Sequence, residues 1–175
     1  MPKVKPKKAK AKKKAKPKVE TNVHATCVAI GARGVLLLGR SGAGKSDVAL
    51  QLIDRGARLV ADDRTILSAR KGALQARAPA PIAGLLEIRS VGIVKLPRRA
   101  RVKIALVVRL DREGARLPLP QFHRILGVAV PQIVLDGRLA STPARIRAAL
   151  AAHARGLLRD TFNSRLGNSP SGRSK

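Results

Sequence analysis

The chain has 175 residues and a formal net charge of +27, with two Phe and no Tyr or Trp. The length suits a single domain, and a hydrophobic fraction of 45% can supply its core. The single cysteine excludes an internal disulfide, and the scarcity of aromatic side chains leaves no platform on which single-stranded bases could stack.

The first 18 residues are strongly basic, with ten lysines and no acidic residue. Their prolines and their lack of large apolar side chains predict a disordered tail over residues 1–19. Such a tail can bind nucleic acid non-specifically or an anionic membrane surface, or it can be a solvated extension without a partner. The N-terminus lacks the apolar centre of a signal peptide and no apolar run is long enough to span a membrane, so we expect a cytoplasmic protein.

Two strands are predicted after the tail. The apolar residues from Val23 to Ile30 predict one strand, and Gly31–Gly34 turns the chain into a second strand, Val35–Leu38. His24 lies in the first strand. A lone histidine in a strand is usually structural, yet its position upstream of the loop described next leaves a contact with phosphate open.

The stretch after the second strand matches the pattern G-x-x-x-x-G-K-[ST] of a phosphate-binding P-loop. Its glycines let backbone N–H groups converge on one anion, and the stretch from Asp47 to Arg55 predicts a helix whose N-terminus adds its dipole. Lys45 can then reach the outer phosphates of a nucleotide, and the Ser46 hydroxyl can coordinate Mg²⁺. The predicted cofactor-binding residues are Gly39, Arg40, Ser41, Gly42, Ala43, Gly44, Lys45 and Ser46.

A short apolar strand, Arg58–Ala61, ends in two adjacent carboxylates, Asp62 and Asp63. Next to a P-loop, such acids can reach the phosphates and the metal ion. Because consecutive side chains of a strand point to opposite faces, the two cannot act on one atom in the same way. One can hold the metal ion or its water while the other accepts a proton. The alternative is a solvated turn after a strand.

A hairpin and a third candidate carboxylate follow. Thr65–Ala69 and Ala73–Arg77 predict the hairpin, and a proline-containing loop then leads to an apolar stretch that contains Glu87. Few acidic residues are left in this basic chain, so Glu87 is the next candidate for the site. The alternative is a surface glutamate that pairs with one of the many arginines.

The second half of the chain predicts a strand, a loop and a helix. Val102–Leu110 predicts the strand. Leu117–Pro131, with prolines at 118, 120 and 131, predicts a segment that is loop-like at both ends with a short apolar piece between, a natural place for a mobile segment over a site. Thr142 and Pro143 predict the N-cap and first turn of a helix whose apolar stripe reaches Leu157. We therefore divide the chain into a disordered tail (1–19), a catalytic domain (20–160) and a frayed end (161–175).

Together these motifs resemble the catalytic domain of bacterial HPr kinase/phosphorylase in its short, alphaproteobacterial-type form. The resemblance covers roughly Val23 to Leu150 and rests on the order and spacing of Val23–Ala25, Gly39–Asp47, Leu59–Asp63 and Glu87–Ile93. It implies an α/β, P-loop NTPase-like mixed sheet with flanking helices, related to the phosphoenolpyruvate carboxykinase type. It also implies ATP and Mg²⁺ as cofactors, an HPr-like phosphocarrier protein as the partner that receives phosphate on a serine, and a homo-oligomer, the hexamer of the family.

The resemblance implies roles around the phosphates. His24 becomes the active-site histidine near the transferred phosphate, and Lys45 becomes the phosphate-binding lysine. Ser46 and Glu87 become the ligands of the metal ion. These roles meet the physical need to neutralise the phosphates before transfer.

It also implies a proton acceptor and an arginine. Asp63 becomes the acceptor of the proton from the attacking serine, with Asp62 beside it. The family's Pro-Gly-Arg-Asn segment, which supplies a catalytic arginine, is absent in that form, and Arg138 stands nearby as its substitute. A second departure is Ser90, which replaces a glycine of the family signature at a place where backbone freedom is expected.

We therefore expect an ATP-dependent protein serine kinase that acts on a phosphocarrier in the regulation of carbon and nitrogen metabolism. Many members of the family also reverse the transfer by phosphorolysis, and the altered arginine segment leaves that direction open here. Two other interpretations stay open. One is a P-loop kinase or NTPase that acts on a small molecule and does not need His24 or Glu87. The other is a nucleotide-sensing protein whose basic tail binds nucleic acid.

Overall fold

The computed structural model describes residues 19–111 and 114–156, which form an α/β fold. The strands of this part of the chain are β1 Glu20–His24, β2 Thr26–Ile30, β3 Arg33–Leu38, β4 Arg58–Ala61, β5 Arg64–Arg70, β6 Ala73–Arg77, β7 Leu85–Ile88, β8 Gly92–Lys95, β9 Val102–Leu110, β10 Gln121–Ile125 and β11 Val128–Leu135. The helices are α1 Lys45–Asp54 and α2 Thr142–Ala154, with a short 3₁₀ turn at Ala80–Ile82.

Nine of the strands form one mixed sheet in the order β1-β5-β6-β9-β3-β2-β4, with β11 also paired to β9 and β10 to β11, while β7 and β8 form a separate hairpin. Strand β9 pairs in parallel with β3 and with β11, and β2 runs antiparallel to both β3 and β4. Strands β3, β4, β9 and β11 therefore point the same way. Their C-terminal ends meet at one edge, where the chain continues into Gly39, Asp62, Asp111 and Asp136.

Two apolar clusters fill the two faces of the central strands. Leu36 lies in the cluster on the inner face of the curled sheet, together with Leu67 of β5. Leu37, the next residue of β3, lies in the other cluster with Leu52 of α1 and Ile146 of α2. Each of these side chains is fully buried, which contributes about 1.5–3 kcal/mol apiece. The packing of α1 against β3 holds the loop between them in place.

The prediction of one strand from Val23 to Ile30 is wrong. The segment forms two strands that separate at Ala25, because β1 pairs with β5 whereas β2 pairs with β3 and β4. Ala25 is buried, and its backbone N–H donates to the carbonyl oxygen of Asp63 at 3.2 Å. The break leaves His24 at the end of β1, beside the end of β4.

The prediction that Leu117–Pro131 is loop-like at both ends is confirmed before Gln121 and wrong at its C-terminal end. Residues from Gln121 onward form the β10–β11 hairpin, and Val130 is buried in the core. Pro131 faces β10, and pairing of β11 with β9 begins only at Gln132, so the missing N–H of the proline removes no bond of the ladder to β9. The prolines were a misleading signal here because they lie outside that ladder.

The other predicted elements are confirmed with small shifts. Helix α1, strands β4 and β9 and the β5–β6 hairpin lie where the sequence predicted them. The N-cap of α2 is Ser141 rather than Thr142, and α2 ends at Ala154 within the described residues. The predicted basic tail up to residue 18, Leu157 and the predicted frayed end lie outside the described residues. Neither α1 nor α2 is long and apolar enough to cross a membrane.

Candidate active site

The P-loop runs from the end of β3 into the first turn of α1. Its last glycine, Gly44, is the N-cap of α1 with φ +85°, a conformation that L side chains rarely adopt. At its other end, a Cβ on Gly39 would lie 2.7 Å from the carbonyl oxygen of Leu110. The loop therefore has the backbone that the sequence pattern requires, and a helix N-terminus of this kind can accept an anion.

Lys45 is held inside the loop. Its side chain is 7% exposed, and Nζ donates to the carbonyl oxygens of Gly39 at 2.9 Å and Arg40 at 3.0 Å. Burial lowers the pKa of Lys45, and the carboxylates of Asp62 and Asp63 partly oppose that shift. The ammonium group thus lies against the carbonyl oxygens of the loop, next to the start of α1.

Asp62 is a buried acceptor for three donors. Its Oδ1 accepts from the hydroxyl of Thr26 at 2.7 Å and from the hydroxyl of Ser46 at 3.1 Å. Its Oδ2 accepts from the backbone N–H of Glu87 at 3.4 Å, and the residue is 7% exposed. Asp62 therefore connects β2, α1 and β7 in one hydrogen-bond network around the Ser46 hydroxyl.

Asp63 follows Asp62 in the turn between β4 and β5, and its side chain lies in a different environment. It has φ +59°, and its side chain is 70% exposed. Oδ1 lies 3.0 Å from Nε2 of His24, whose side chain is 46% exposed. The two adjacent aspartates therefore have different environments. Asp62 is buried and accepts hydrogen bonds from three donors, whereas Asp63 and His24 face solvent at the mouth of the site.

The β7–β8 hairpin brings Glu87 to the site. Leu86 is fully buried and fixes β7, and Glu87 next to it is exposed on the opposite face. The turn that follows contains Ser90 with φ +64°, so the serine occupies a backbone conformation that favours glycine. This explains physically why a glycine is expected at that position.

One cleft of about 180 Å³ contains most of the predicted site residues. Its lining residues are His24, Ser41, Gly42, Gly44, Lys45, Ser46, Asp47, Asp62, Asp63, Glu87 and Arg89. Gly39, Arg40 and Ala43 belong to the loop but do not line this cleft. The structure thus brings together His24, Lys45, Ser46, both aspartates and Glu87, which lie far apart in the sequence.

Arg138 does not line the cleft. It follows Gly137, whose missing side chain leaves room for the carbonyl oxygen of Ala43 in the P-loop. The backbone N–H of Arg138 donates to Oδ1 of Asp136 at 2.9 Å, and its side chain is exposed. The segment after β11 therefore packs on the back of the P-loop, and Arg138 lies next to that contact.

The sequence interpretation missed Thr26. This residue is fully buried at the start of β2 and donates to Asp62, which is 36 residues away in the chain. A threonine in an apolar strand next to a histidine carries no distinctive pattern. Only the pairing of β2 with β4 brings Thr26 and Asp62 together.

Three comparisons with known proteins agree. The model of the HPr Serine kinase C-terminal domain family matches residues 16–156. An HPr kinase/phosphorylase of Clostridium tetani is 36% identical over 149 residues, which cover 78% of this chain and 49% of the relative. One of Caldicellulosiruptor bescii is 40% identical over 129 residues, which cover 66% of this chain and 42% of the relative. The chain spans about half the length of the curated relatives it matches.

A solved structure supports the fold. The Hpr(Ser) kinase/phosphatase from Coxiella burnetii matches with a TM-score of 0.70 and 28% sequence identity, covering 78% of this chain and 98% of that chain. The α/β fold with a mixed sheet and flanking helices, predicted from the sequence, is confirmed.

Proposed function

The chain belongs to the HPr serine kinase C-terminal domain family, and we propose that it is an ATP-dependent protein kinase that phosphorylates a serine of an HPr-like phosphocarrier protein. The single observation that carries this proposal is that the adjacent carboxylates of Asp62 and Asp63 lie at two different positions of the site. One carboxylate binds the Ser46 hydroxyl inside the site, and the other lies with His24 at its mouth. A kinase needs both positions, one at the phosphates and one at the attacking hydroxyl.

In this proposal the P-loop and Lys45 bind the phosphates of ATP. The backbone N–H groups at the start of α1 hold the anion, and the ammonium group of Lys45 exchanges its two carbonyl partners for phosphate oxygens. Burial excludes water around this contact, and a charge-assisted hydrogen bond is stronger there than at the surface.

The donor set fits a magnesium ion. Ser46 supplies a hydroxyl and Glu87 a carboxylate on the same cleft, and Asp62 accepts from the Ser46 hydroxyl at 3.1 Å. No group of three or more His, Cys, Asp or Glu side chains in residues 19–111 and 114–156 could hold a metal ion by itself. A hydroxyl beside a carboxylate suits Mg²⁺, which binds through one or two carboxylates together with substrate phosphates. When bound, the ion neutralises charge on the phosphates.

Asp63 is the proposed proton acceptor. Asp62 already accepts three hydrogen bonds in a buried position, whereas Asp63 is 70% exposed and can be reached by a serine of a folded partner. His24 holds the Asp63 carboxylate at 3.0 Å and orients it. Removal of the serine proton by a positioned carboxylate supplies what a weakly nucleophilic hydroxyl lacks.

Arg138 is the proposed arginine of the transfer step. Its attachment to the back of the P-loop through Gly137 supports a role near the phosphates, and its exposed side chain is free to turn toward a bound nucleotide. The same proposal includes phosphorolysis of the phosphoserine as the reverse reaction, a homo-oligomeric assembly and a cytoplasmic location. Mass photometry of the full chain tests the assembly directly.

The proposal is tested by transfer of labelled phosphate from γ-labelled ATP to serine-containing phosphocarrier proteins. We expect labelling of the wild type, loss of labelling in Asp63→Asn and Lys45→Ala, and unchanged labelling in the matched control Asp54→Asn. Asp54 is an exposed acid at the far end of α1, outside the cleft.

Two outcomes would contradict the proposal. If ATP binds but no carrier protein is labelled while a small metabolite is, the chain is a small-molecule kinase. If His24→Ala and Asp63→Asn both label the carrier at the wild-type rate, the proton acceptor lies elsewhere.

A further inference from the structure

Arg89 lines the cleft of the candidate active site, and the reaction proposed above does not use it. Lys45 and Arg89 are the two lysine or arginine side chains among the described residues that line this cleft. The same cleft contains four carboxylates, which are those of Asp47, Asp62, Asp63 and Glu87. Because so many negative charges repel the phosphates of a nucleotide, each cation of the cleft matters for their binding.

The guanidinium of Arg89 has no hydrogen-bond or ion-pair partner within the part of the chain that the structure describes. This differs from Arg109, which pairs with Asp111 at 2.7 Å. An arginine in a cleft with several carboxylates would be expected to pair with one of them. The five N–H donors of Arg89 are therefore available to a ligand that enters the cleft.

The backbone of Arg89 is held in place by the β7–β8 hairpin. Arg89 is the second residue of a tight turn, in which the N–H of Val91 donates to the carbonyl oxygen of Ile88 at 3.0 Å. Strand β7, which precedes the turn, is anchored by the fully buried side chain of Leu86. The same strand brings Glu87 to the cleft. The hairpin thus places a carboxylate and a guanidinium in one site.

Arg138, the arginine proposed above for the transfer step, does not line this cleft. Its segment packs on the back of the P-loop through Gly137, so its side chain has to turn before it can meet a phosphate. Arg89 already lines the cleft together with Asp63, the proposed proton acceptor. Since the serine must meet the transferred phosphate beside Asp63, Arg89 lies in the cleft where the transfer takes place.

We propose that the Arg89 guanidinium binds the outermost phosphate of the nucleotide and stabilises its charge during transfer, an inference that rests on the proposed kinase function. As the serine oxygen forms a bond to phosphorus, the bond from phosphorus to the bridging oxygen breaks, and that oxygen keeps the electron pair as part of ADP. The serine proton goes to Asp63. Negative charge spreads over the three non-bridging oxygens of the phosphate, and the paired donors of a guanidinium match two of them.

Calorimetric titrations of the full chain with ADP and with the β,γ-imido analogue of ATP, both with MgCl₂, test the proposal. Only the analogue carries the outermost phosphate. We expect Arg89→Gln to weaken binding of the analogue about tenfold, as for loss of one charge-assisted hydrogen bond, and to leave the affinity for ADP unchanged. The matched control Lys95→Gln removes an exposed cation of the same hairpin, outside the cleft, and should change neither affinity.

The rate of phosphate transfer gives a second measurement. Loss of one donor that stabilises transition-state charge reduces kcat by about 10²–10³-fold, so we expect Arg89→Gln to lower kcat for the carrier protein by roughly that factor. The Tm should not change, because the side chain is exposed and without a partner among the described residues. Arg89→Lys keeps the charge and should recover part of both the affinity and the rate.

Three results separate this proposal from the kinase function on which it rests. Equal losses of affinity for ADP and for the analogue in Arg89→Gln would overturn it, since the contact would then not be with the outermost phosphate. If Arg89→Gln binds the analogue and labels the carrier like the wild type, the kinase function stands and the role of Arg89 is wrong. If the wild type labels no carrier but Arg89→Gln still loses affinity for the analogue alone, the phosphate contact stands and the protein substrate is wrong.

Discussion

The two adjacent aspartates should differ in what their removal changes. Loss of the Asp62 side chain should mainly lower the stability of the fold, and loss of the Asp63 side chain should mainly lower the rate of phosphate transfer. In Asp62→Ala the fully buried hydroxyl of Thr26 loses its acceptor, and Ser46 and the backbone of Glu87 lose theirs. A buried donor without a partner costs about 1–3 kcal/mol, and hydrogen bonds to a charged group contribute about 1.5–3 kcal/mol. We expect the free energy of unfolding to fall by about 2–4 kcal/mol.

In Asp63→Ala only an exposed contact with His24 is lost. A pair of this kind contributes about 0–1 kcal/mol, and alanine is less favourable than aspartate at φ +59°, so the free energy of unfolding should fall by about 1 kcal/mol, less than in Asp62→Ala. Loss of a general base reduces the rate of proton transfer by about 10²–10⁴-fold, so kcat should fall by that factor while ATP binds as before. The conservative variant Asp63→Asn should show the same loss of rate.

Thermal unfolding without nucleotide, followed by ATP titration and kinase kinetics, separates the two variants. With about 4 °C per kcal/mol for a domain of this size, Asp62→Ala should lower Tm by roughly 8–16 °C. Thr26→Val removes one of the three donors and should give a smaller decrease. If Asp63→Ala lowers Tm as much as Asp62→Ala, or if Asp62→Ala leaves Tm unchanged, the assignment of a structural network to Asp62 is wrong.

Three further predictions follow from single positions. Ser90→Gly should raise the free energy of unfolding by about 1 kcal/mol in a denaturant titration, because φ +64° is unfavourable for serine, whereas Ser90→Val should lower it. Gly137→Ala should weaken ATP binding by about tenfold in a calorimetric titration, because the added methyl group would collide with the carbonyl oxygen of Ala43; unchanged affinity would show that the loop yields at no cost. Complete burial raises the pKa of the Cys27 thiol, so Ellman's reagent at pH 8 should label Cys27 only after unfolding, and labelling of the native protein at the rate of a free thiol would contradict its burial.

The parts of the site that the sequence predicted are those with local signals. The P-loop has a fixed spacing of glycines and lysine, and the helix after it is required by the same pattern. The sequence predicted that Asp62 and Asp63 would diverge, but from strand alternation, whereas both lie in the turn between β4 and β5 and Asp63 has φ +59°. These features depend on neighbours within a few residues, and the structure has each of them.

The parts that the sequence did not predict depend on pairing between distant segments. The break at Ala25 arises because β1 and β2 have different partner strands, and Thr26 matters only because that pairing brings it to Asp62. The β10–β11 hairpin contains Pro131, whose sequence signal predicts a loop, although Pro131 pairs with Phe122 and the ladder to β9 begins after it. Composition and periodicity do not contain this information.

The contact of Lys45 with two carbonyl oxygens of its own loop has a consequence for selectivity among nucleotides. The ammonium group bridges the carbonyl oxygens of Gly39 and Arg40 and so connects the first two residues of the loop. Any triphosphate that enters must displace both bonds, and this exchange is the same for adenine, guanine or a pyrimidine, since only phosphate oxygens take part. A preference of the enzyme for one base over another must therefore originate outside the loop, in groups that the phosphates do not touch.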